Sequence, residues 1–488
     1  MSRLPAAAWL CALVGFLSAL GWSFVTPPFH VPDEVAHLAY VQHLAETGDL
    51  PKLNDDLDYS PEEQQALTIT EFYLVVGAKD GRPPWTDVQQ RAMEDLEEVP
   101  RVGTGTAQSA TNNPPLYYAV EAVPYWLGSG LSLLDRMALM RLVSALMAGA
   151  TALAIFLFLR EVLPREPWAW TVGALVAALQ PLFGFVSSGV QPDALLALAG
   201  SLVLLAAARV LRRGLDTRSG LALGAATAIG VLSKLAFLGL VPGIVLAVAL
   251  GLRRAVRDDR RGAGLRGATL ALGVPAAAVA AYALASVLVW DRALFGADAT
   301  TSTNLNKAAP TDVMAASQSG RLSYIWQLYL PRLPFMDDQF PSSPIREIWV
   351  NGFIGRFGWL DTVWSHGVYR AGAAVLLGIA VLAAIGALRA ARRGAFAGRV
   401  GELSVYAVMA VGLLGLIGAA AYSSYLSGGT FAQARYLVPL MGIYAGIVAL
   451  AARALGPRWG PVLGAVLVVA AFGHDLFAQL LTLGRFWA

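Results

Sequence analysis

The chain has 488 residues, 56% of them hydrophobic and only 14% charged, against roughly 25% charged in a soluble domain. That composition excludes an ordinary soluble enzyme and describes a polytopic membrane protein, and a net charge of only +3 gives no reason to expect a nucleic-acid partner. The single cysteine, Cys11, excludes an intramolecular disulfide and a cysteine-built zinc site.

Residues 7–26 form the first apolar run. It has spanning length, about 20 residues, rather than the 7–15 of a signal-peptide core. It ends in Pro27-Pro28 with no small-x-small cleavage pattern, so it reads as a retained signal anchor. Directly after it comes Pro27-Pro28-Phe29-His30-Val31-Pro32-Asp33-Glu34-Val35-Ala36-His37. Charges are costly in a bilayer, so this cluster at its edge is either solvated loop or a site. In a helix beginning near Asp33, His37 lies four residues from Asp33 and three from Glu34, so the three share a face. With His30 they are a candidate set for a divalent cation. The plainer alternative is a helix cap, with Asp33 as the cap and Glu34 at the positive end of the dipole.

Residues 34–46 read as a short amphipathic helix through Val35, Leu38, Val41 and Leu44. Residues 54–66 and 86–99 are acidic, the latter with helical character. Asn112-Asn113-Pro114-Pro115-Leu116-Tyr117-Tyr118 is either a turn or a group of amide and phenol ligands for sugar hydroxyls. The stretch 114–134 is apolar, but its prolines and its Tyr125-Trp126 pair suit an interfacial helix.

Further apolar runs fall near 137–159, 168–188, 192–211, 219–236, 237–252, 265–290, 367–388, 402–424, 436–454 and 460–482, about eleven spans in all. Between them lie polar residues that read either as helix-end anchors or as site groups. Arg141 sits near the start of the second span. Asp193, in Gln191-Pro192-Asp193, opens a later one and reads as a cap or a pocket carboxylate. Lys234 stands alone between two apolar runs and suits a lipid phosphate or simple snorkelling. Arg435-Tyr436 opens the tenth run. Residues 291–366 form a second long polar stretch rich in aromatics. It closes on Gly355-Arg356-Phe357-Gly358-Trp359-Leu360-Asp361, where Trp359 is a sugar-stacking or interfacial ring.

The basic loops at 160–165, 212–218, 253–266, 389–399 and 453–458 all fall on one side if the N-terminus is cytoplasmic and 114–134 does not cross. Both long polar stretches, 27–135 and 291–366, then lie outside, as do Asp33, Asp193, Lys234 and Arg435. The bias toward Ala, Leu, Gly and Arg over Lys suits a bacterial coding sequence, and a bacterial plasma membrane is the expected location.

These residues carry a resemblance. Asp33-Glu34 after the first span, Pro114–Tyr118, Arg141, Pro192–Leu196, Ser233-Lys234 and Arg435–Pro439 occur in an order that resembles the GT-C superfamily of polytopic glycosyltransferases. The Pro-Asp-Glu…His pattern with Phe-Gly-Trp late in the second outer loop is similar to an uncharacterised bacterial branch. The resemblance implies one membrane domain over 1–488, a GT-C-like bundle whose two outer loops carry short interfacial helices. It also implies a polyprenyl-phosphate sugar donor and transfer to a glycan, lipid or protein acceptor at the outer face, with inversion. It casts the first-loop acid Asp33 as base and Lys234 and Arg435 as phosphate ligands. Beside these stand Glu34 and His37 in support of the base, Arg141 as a third cation, and Asn112, Asn113, Tyr117, Asp193, Tyr436 and Trp359 as substrate contacts. The residues name no definite cofactor, and a divalent cation is the one candidate. A transporter of lipid-linked glycans and a non-catalytic lipid-binding protein are the competing classes. The first would need ionisable residues deep in several spans, which are scarce.

Overall fold

The structure is a computed structural model describing residues 4–52, 59–78, 80–103, 108–292, 318–340, 347–426 and 433–488. The acidic positions 53–58, much of the second polar stretch and positions 427–432 lie outside the described residues. The protein is nearly all helical and multi-pass. Among the described residues eight helical segments are long and apolar enough to cross a membrane. The expected eleven runs are all present as helix, but three changes separate the two counts. The run 168–188 is two short helices, Pro167–Ala178 and Pro181–Val186. The run 219–236 holds the helix Thr217–Val231, only 15 residues long. The last two runs, 436–454 and 460–482, stand in one segment, Ala434–Phe486.

The breaks have local causes. Gln180 stops the helix before it and caps the next one, its side-chain oxygen accepting from Phe183 N at 2.8 Å, and Pro181 takes the first helical position. The helix Thr217–Val231 ends before Lys234, whose backbone is extended at φ −158°, ψ 139°. A 3-10 turn, Leu235–Leu240, then leads into the helix Val241–Arg257. A second 3-10 turn, Ala434–Leu440, precedes the helix Met441–Ala452 and carries Arg435.

Lipid offers no hydrophobic drive between helices, so close packing of small residues has to supply the contact. The helix Ala6–Val25 lies on Leu133–Val162, where Gly15 faces Ala148 and Ala152 and Gly149 faces Ala12 and Phe16. Gly200, on the helix Asp193–Arg213, touches the backbone of Pro439, and a Cβ there would stand 2.4 Å from the Pro439 carbonyl oxygen. That contact brings the Arg435 turn against the start of the Asp193 helix.

The first polar stretch folds onto one end of this bundle around its own core of Phe29, Val35, Leu38, Tyr40, Tyr118 and Met137. The helix Glu34–Thr47 is not amphipathic as expected. Its first nine residues are buried on every side, because the helix Leu116–Leu127 covers it. Leu116–Leu127 has 12 residues, about 18 Å, and is too short to cross a 30 Å core. The acidic stretch near 90 is helical over Asp87–Glu94 and 3-10 over Asp95–Glu98, as expected. The motif at 355–361 forms a two-stranded hairpin, Arg356–Phe357 against Thr362–Val363.

Candidate active site

Four charged residues from four distant parts of the sequence meet at the end of the bundle covered by the first polar stretch. Asp193 begins its helix but does not cap it. Its Oδ1 accepts from Lys234 Nζ at 2.6 Å, and its Oδ2, without a hydrogen bond, lies 3.8 Å from Arg435 Nη1. Arg435 also pairs with Asp33 and donates to the Pro32 carbonyl at 3.2 Å. The Tyr436 ring lies beneath both cations, its centroid 5.6 Å from Lys234 Nζ and 5.5 Å from Arg435 Cζ. The cluster is most open at Asp33. The Asp33 side chain is 28% exposed and Lys234 14%, whereas Arg435 is 3% exposed and Asp193 fully buried.

Asp33 does not cap its helix either. Its backbone is left-handed at φ 64°, with no side-chain bond to the helix N-terminus. An L-residue held there costs about 1–2 kcal/mol, and Asp tolerates it better than most. This turn carries the carboxylate out of the helix and onto Arg435. Burial pushes the Asp33 carboxyl up, but the surrounding positive charges, Arg435 first and Lys234 with it, together outweigh burial and hold the group at about 2.

Glu34 is not part of this cluster. It is wholly buried and bidentate to Arg141, which donates through Nη2 at 2.6 Å and Nε at 2.8 Å. Phe29 N and Val190 N donate to the same carboxylate at 2.9 and 3.0 Å. The remaining Arg141 donors go to the carbonyls of Ser23, Thr26 and Pro27. The expected grouping of Arg141 with Lys234 and Arg435 is therefore corrected, because its donors are consumed by Glu34 and by the chain leaving the first helix. The expected support of Asp33 by Glu34 falls for the same reason.

His37 is buried against the tyrosines. Its Nδ1 lies 2.9 Å from the Tyr118 hydroxyl, which also receives Asn113 Nδ2 at 3.0 Å, and Tyr118 stacks on Tyr40 at 3.6 Å. Burial drives His37 down to about 3, so it is neutral at physiological pH. His30 packs on Phe486 and Phe72, with neither ring nitrogen hydrogen-bonded. The four groups considered for a cation thus face different partners, and among the described residues no three His, Cys, Asp or Glu side chains are arranged to hold a metal.

The other expected contacts divide. Tyr117 is buried, 2.9 Å from Ser144 Oγ and accepting from Gln191 N at 2.6 Å, so it fastens the turn before Asp193. Asn112 is exposed. Trp359 is partly buried. It donates to the Phe29 carbonyl at 3.0 Å and meets Phe72 edge-on, which joins the hairpin to the first polar stretch. Two residues were missed by the sequence reading. Gln191 donates to the Pro32 carbonyl at 2.6 Å and ties the Asp193 turn to the Asp33 loop. Arg485 donates to the carbonyls of Gly81 and Ala78 and lies 3.7 Å from Asp361. Gln191 precedes Pro192-Asp193 and was visible in that motif, whereas nothing near Arg485 points to its partners.

Comparison with known proteins adds the following. No curated protein matches the chain. Two crystal structures of the Archaeoglobus fulgidus oligosaccharyltransferase are similar in structure, both at 13% identity. The apo form matches at a TM-score of 0.47, covering 98% of this chain and 56% of that one. The form tethered to an acceptor peptide containing the NVT sequon matches at 0.41, covering 98% and 55%. The chain therefore spans little more than half the length of those chains. A family model described as "Predicted membrane protein (DUF2142)" matches residues 16–443. That match runs from within the first span through the polar stretches to the Arg435 turn, and the chain belongs to this family of membrane proteins.

Proposed function

We propose that the chain is a glycosyltransferase that moves a sugar from a polyprenyl-phosphate donor to a glycan, lipid or protein acceptor of the cell envelope. The reaction takes place at the Asp33 end of the bundle, which we assign to the extracytoplasmic face of a bacterial plasma membrane. The observation that carries this reading is the convergence of Lys234 and Arg435 on Asp193, at the membrane edge and beside Asp33. Two cations at one depth suit a lipid phosphate, and the order of motifs along the chain supports the same class.

In the resting protein both cations rest on carboxylates. A donor phosphate competes for the same N–H groups with charge-assisted hydrogen bonds. When Arg435 turns to the phosphate, Asp33 loses the first of the charges that hold its carboxyl at about 2 and becomes a stronger base. It can then take the proton of an acceptor hydroxyl attacking C1 as the C1–O bond to phosphate breaks. Attack from the face opposite the leaving phosphate inverts the anomeric centre. Arg141 with Glu34, and Tyr117 with Gln191, hold the loops that carry these groups. His37, neutral and fixed by Tyr118, positions the helix behind Asp33.

The test uses the full chain in liposomes with a labelled polyprenyl-phosphate hexose. Lys234→Ala should weaken donor binding roughly ten- to hundredfold, the worth of one charge-assisted bond. Asp33→Asn should bind donor and fail to release polyprenyl phosphate. Donor carried across the membrane intact, with no release in the wild type, would make the protein a transporter and overturn the proposal.

A further inference from the structure

A second cluster of arginines lies at the opposite end of the bundle. The helix Asp193–Arg213 holds Asp193 at one end and Arg212 at the other, about 30 Å away for its 21 residues. The helix Val241–Arg257, which follows the Lys234 turn, likewise ends in arginines. Between these two ends and the start of the helix Val400–Leu426 is an open cavity of about 770 Å³. Arg212, Arg253, Arg254, Arg257 and Arg399 line it, against only two carboxylates, Glu402 and Asp258.

The inner wall is built and fixed. Glu402 is buried and receives Arg212 Nε at 3.1 Å, Arg399 Nε at 2.9 Å and the Tyr406 hydroxyl at 3.2 Å. Arg212 reaches further to the Val162 carbonyl at 3.1 Å. Arg254 donates to the Leu211 carbonyl at 2.9 Å and lies 3.5 Å from Asp258. Each carboxylate is thus occupied. Arg253 and Arg257 are exposed at the mouth and have no acidic partner among the described residues. Five arginines gathered around two carboxylates repel one another, and the two acids offset only part of that charge. A phosphate would offset the rest, because each guanidinium presents paired N–H donors that match phosphate oxygens.

We propose that this cavity is a binding site for an anionic phosphodiester headgroup, across the membrane from the Asp33 cluster, with Arg253 and Arg257 as its free ligands. The cavity lies where spanning helices end, at headgroup depth, and its Leu211 and Leu250 walls suit the glycerol and upper acyl carbons of a lipid. Basic pockets between helix ends at such a surface recognise anionic headgroups, each arginine contributing about fivefold in affinity. The doubly charged diphosphatidylglycerol headgroup engages both free arginines at once.

The experiment is native mass spectrometry of the full chain, in defined mixtures of diphosphatidylglycerol, phosphatidylglycerol and phosphatidylcholine, with thermal melts alongside. Diphosphatidylglycerol should be retained over phosphatidylcholine. The double variant Arg253→Gln/Arg257→Gln should lower that retention about 25-fold at an unchanged melting temperature without lipid, since both side chains are exposed. Arg260→Gln/Arg261→Gln, exposed arginines outside the cavity, should leave retention unchanged. Inorganic phosphate at millimolar concentration separates the two sources of the chemistry. Stabilisation by phosphate that is lost in the Arg253/Arg257 variant, with no lipid retained, assigns the cavity to a soluble phosphate and keeps its ligands. Equal retention of phosphatidylcholine, equal loss in both double variants, or no loss in the Arg253/Arg257 variant overturns the site.

Discussion

Asp33 and Glu34 are neighbours in sequence and should answer the same conservative change in opposite ways. Glu34 is wholly buried and accepts four hydrogen bonds, two from Arg141 at 2.6 and 2.8 Å and one each from Phe29 N and Val190 N at 2.9 and 3.0 Å. Glu34→Gln removes the charge and turns one oxygen into a donor facing donors. Breaking a buried pair from one side costs about 3–5 kcal/mol. The carbonyls of Ser23, Thr26 and Pro27 still hold Arg141 and keep the loss toward the lower figure. Asp33 has one ion-pair partner and a side chain 28% exposed, and after Asp33→Asn the buried Arg435 still has Asp193 at 3.8 Å and the Pro32 carbonyl. Its stability cost should be smaller than that of Glu34→Gln, about 1–3 kcal/mol, because Arg435 is buried but keeps those two partners. The assay is thermal or denaturant unfolding of both variants in one detergent, followed by donor turnover for whichever remains folded. Asp33→Asn should be folded and inactive, Glu34→Gln clearly destabilised. A Glu34→Gln protein as stable as wild type yet inactive would refute the division and return the catalytic role to Glu34.

Gly200→Ala places a Cβ 2.4 Å from the Pro439 carbonyl, so the Arg435 turn must shift, at about 1–3 kcal/mol. Donor affinity and melting temperature should fall together, and a variant unchanged in both would show that this contact does not position Arg435. Burial holds His30 and His37 at about 3, so below the unfolded value of about 6.5 the unfolded chain binds protons that the folded chain refuses. The two rings should therefore cost stability as pH falls from 6.5 toward 3, against the opposite trend set by buried Glu121, whose carboxyl burial pushes up to about 8. Wild type should then lose more stability than His30→Phe over that range, and equal losses in the two would contradict the burial of His30 as a neutral ring. Cysteines at Asn112 and Gly262, both exposed, should be labelled from the outside and the cytoplasmic side respectively, against low background because Cys11 is buried. The reverse pattern would invert the topology and move the Asp33 cluster to the cytoplasm.

Much of the architecture was legible because hydropathy alone sets where helices run in a bilayer. The interior breaks were not, since Gln180-Pro181 leaves the run around it apolar enough to read as one span. The burial of Glu34–Thr47 was hidden for a different reason. Its Val35, Leu38 and Val41 give one apolar face, and only the arrival of Leu116–Leu127 shows that His37 and Gln42 on the other faces are covered too. In the site, the shared sidedness of Asp33, Asp193, Lys234 and Arg435 was readable from charge and loop order. Which cation serves which acid was not. Arg141 and Lys234 look alike in sequence, each a lone cation near a helix end, yet Arg141 is consumed by an acid 107 positions earlier while Lys234 meets Asp193 beside the open mouth. Long-range pairing carries no local period, so no spacing announces it.

The pairing also explains why so polar a group can exist at that depth. A lone arginine or lysine at a helix centre costs about 2.5–3.5 kcal/mol on insertion scales, and less toward the interface. Two unpaired cations waiting for a phosphate would carry that cost whenever the site was empty. Asp33 and Asp193 remove it, since two carboxylates against two cations leave the cluster formally neutral. The two acids are not equivalent, however. Asp193 is fully buried at the first turn of a long helix and cannot leave. Asp33 sits on a left-handed turn at the open side, and among the described residues its side chain is bound to Arg435 alone. An anion arriving from the open side can displace Asp33 without uncovering Asp193. The geometry therefore lets one carboxylate stay as permanent counter-charge while the other is released, still beside the ligand that displaced it. Under the proposed chemistry that released carboxylate is the base, and donor binding and base activation become a single event.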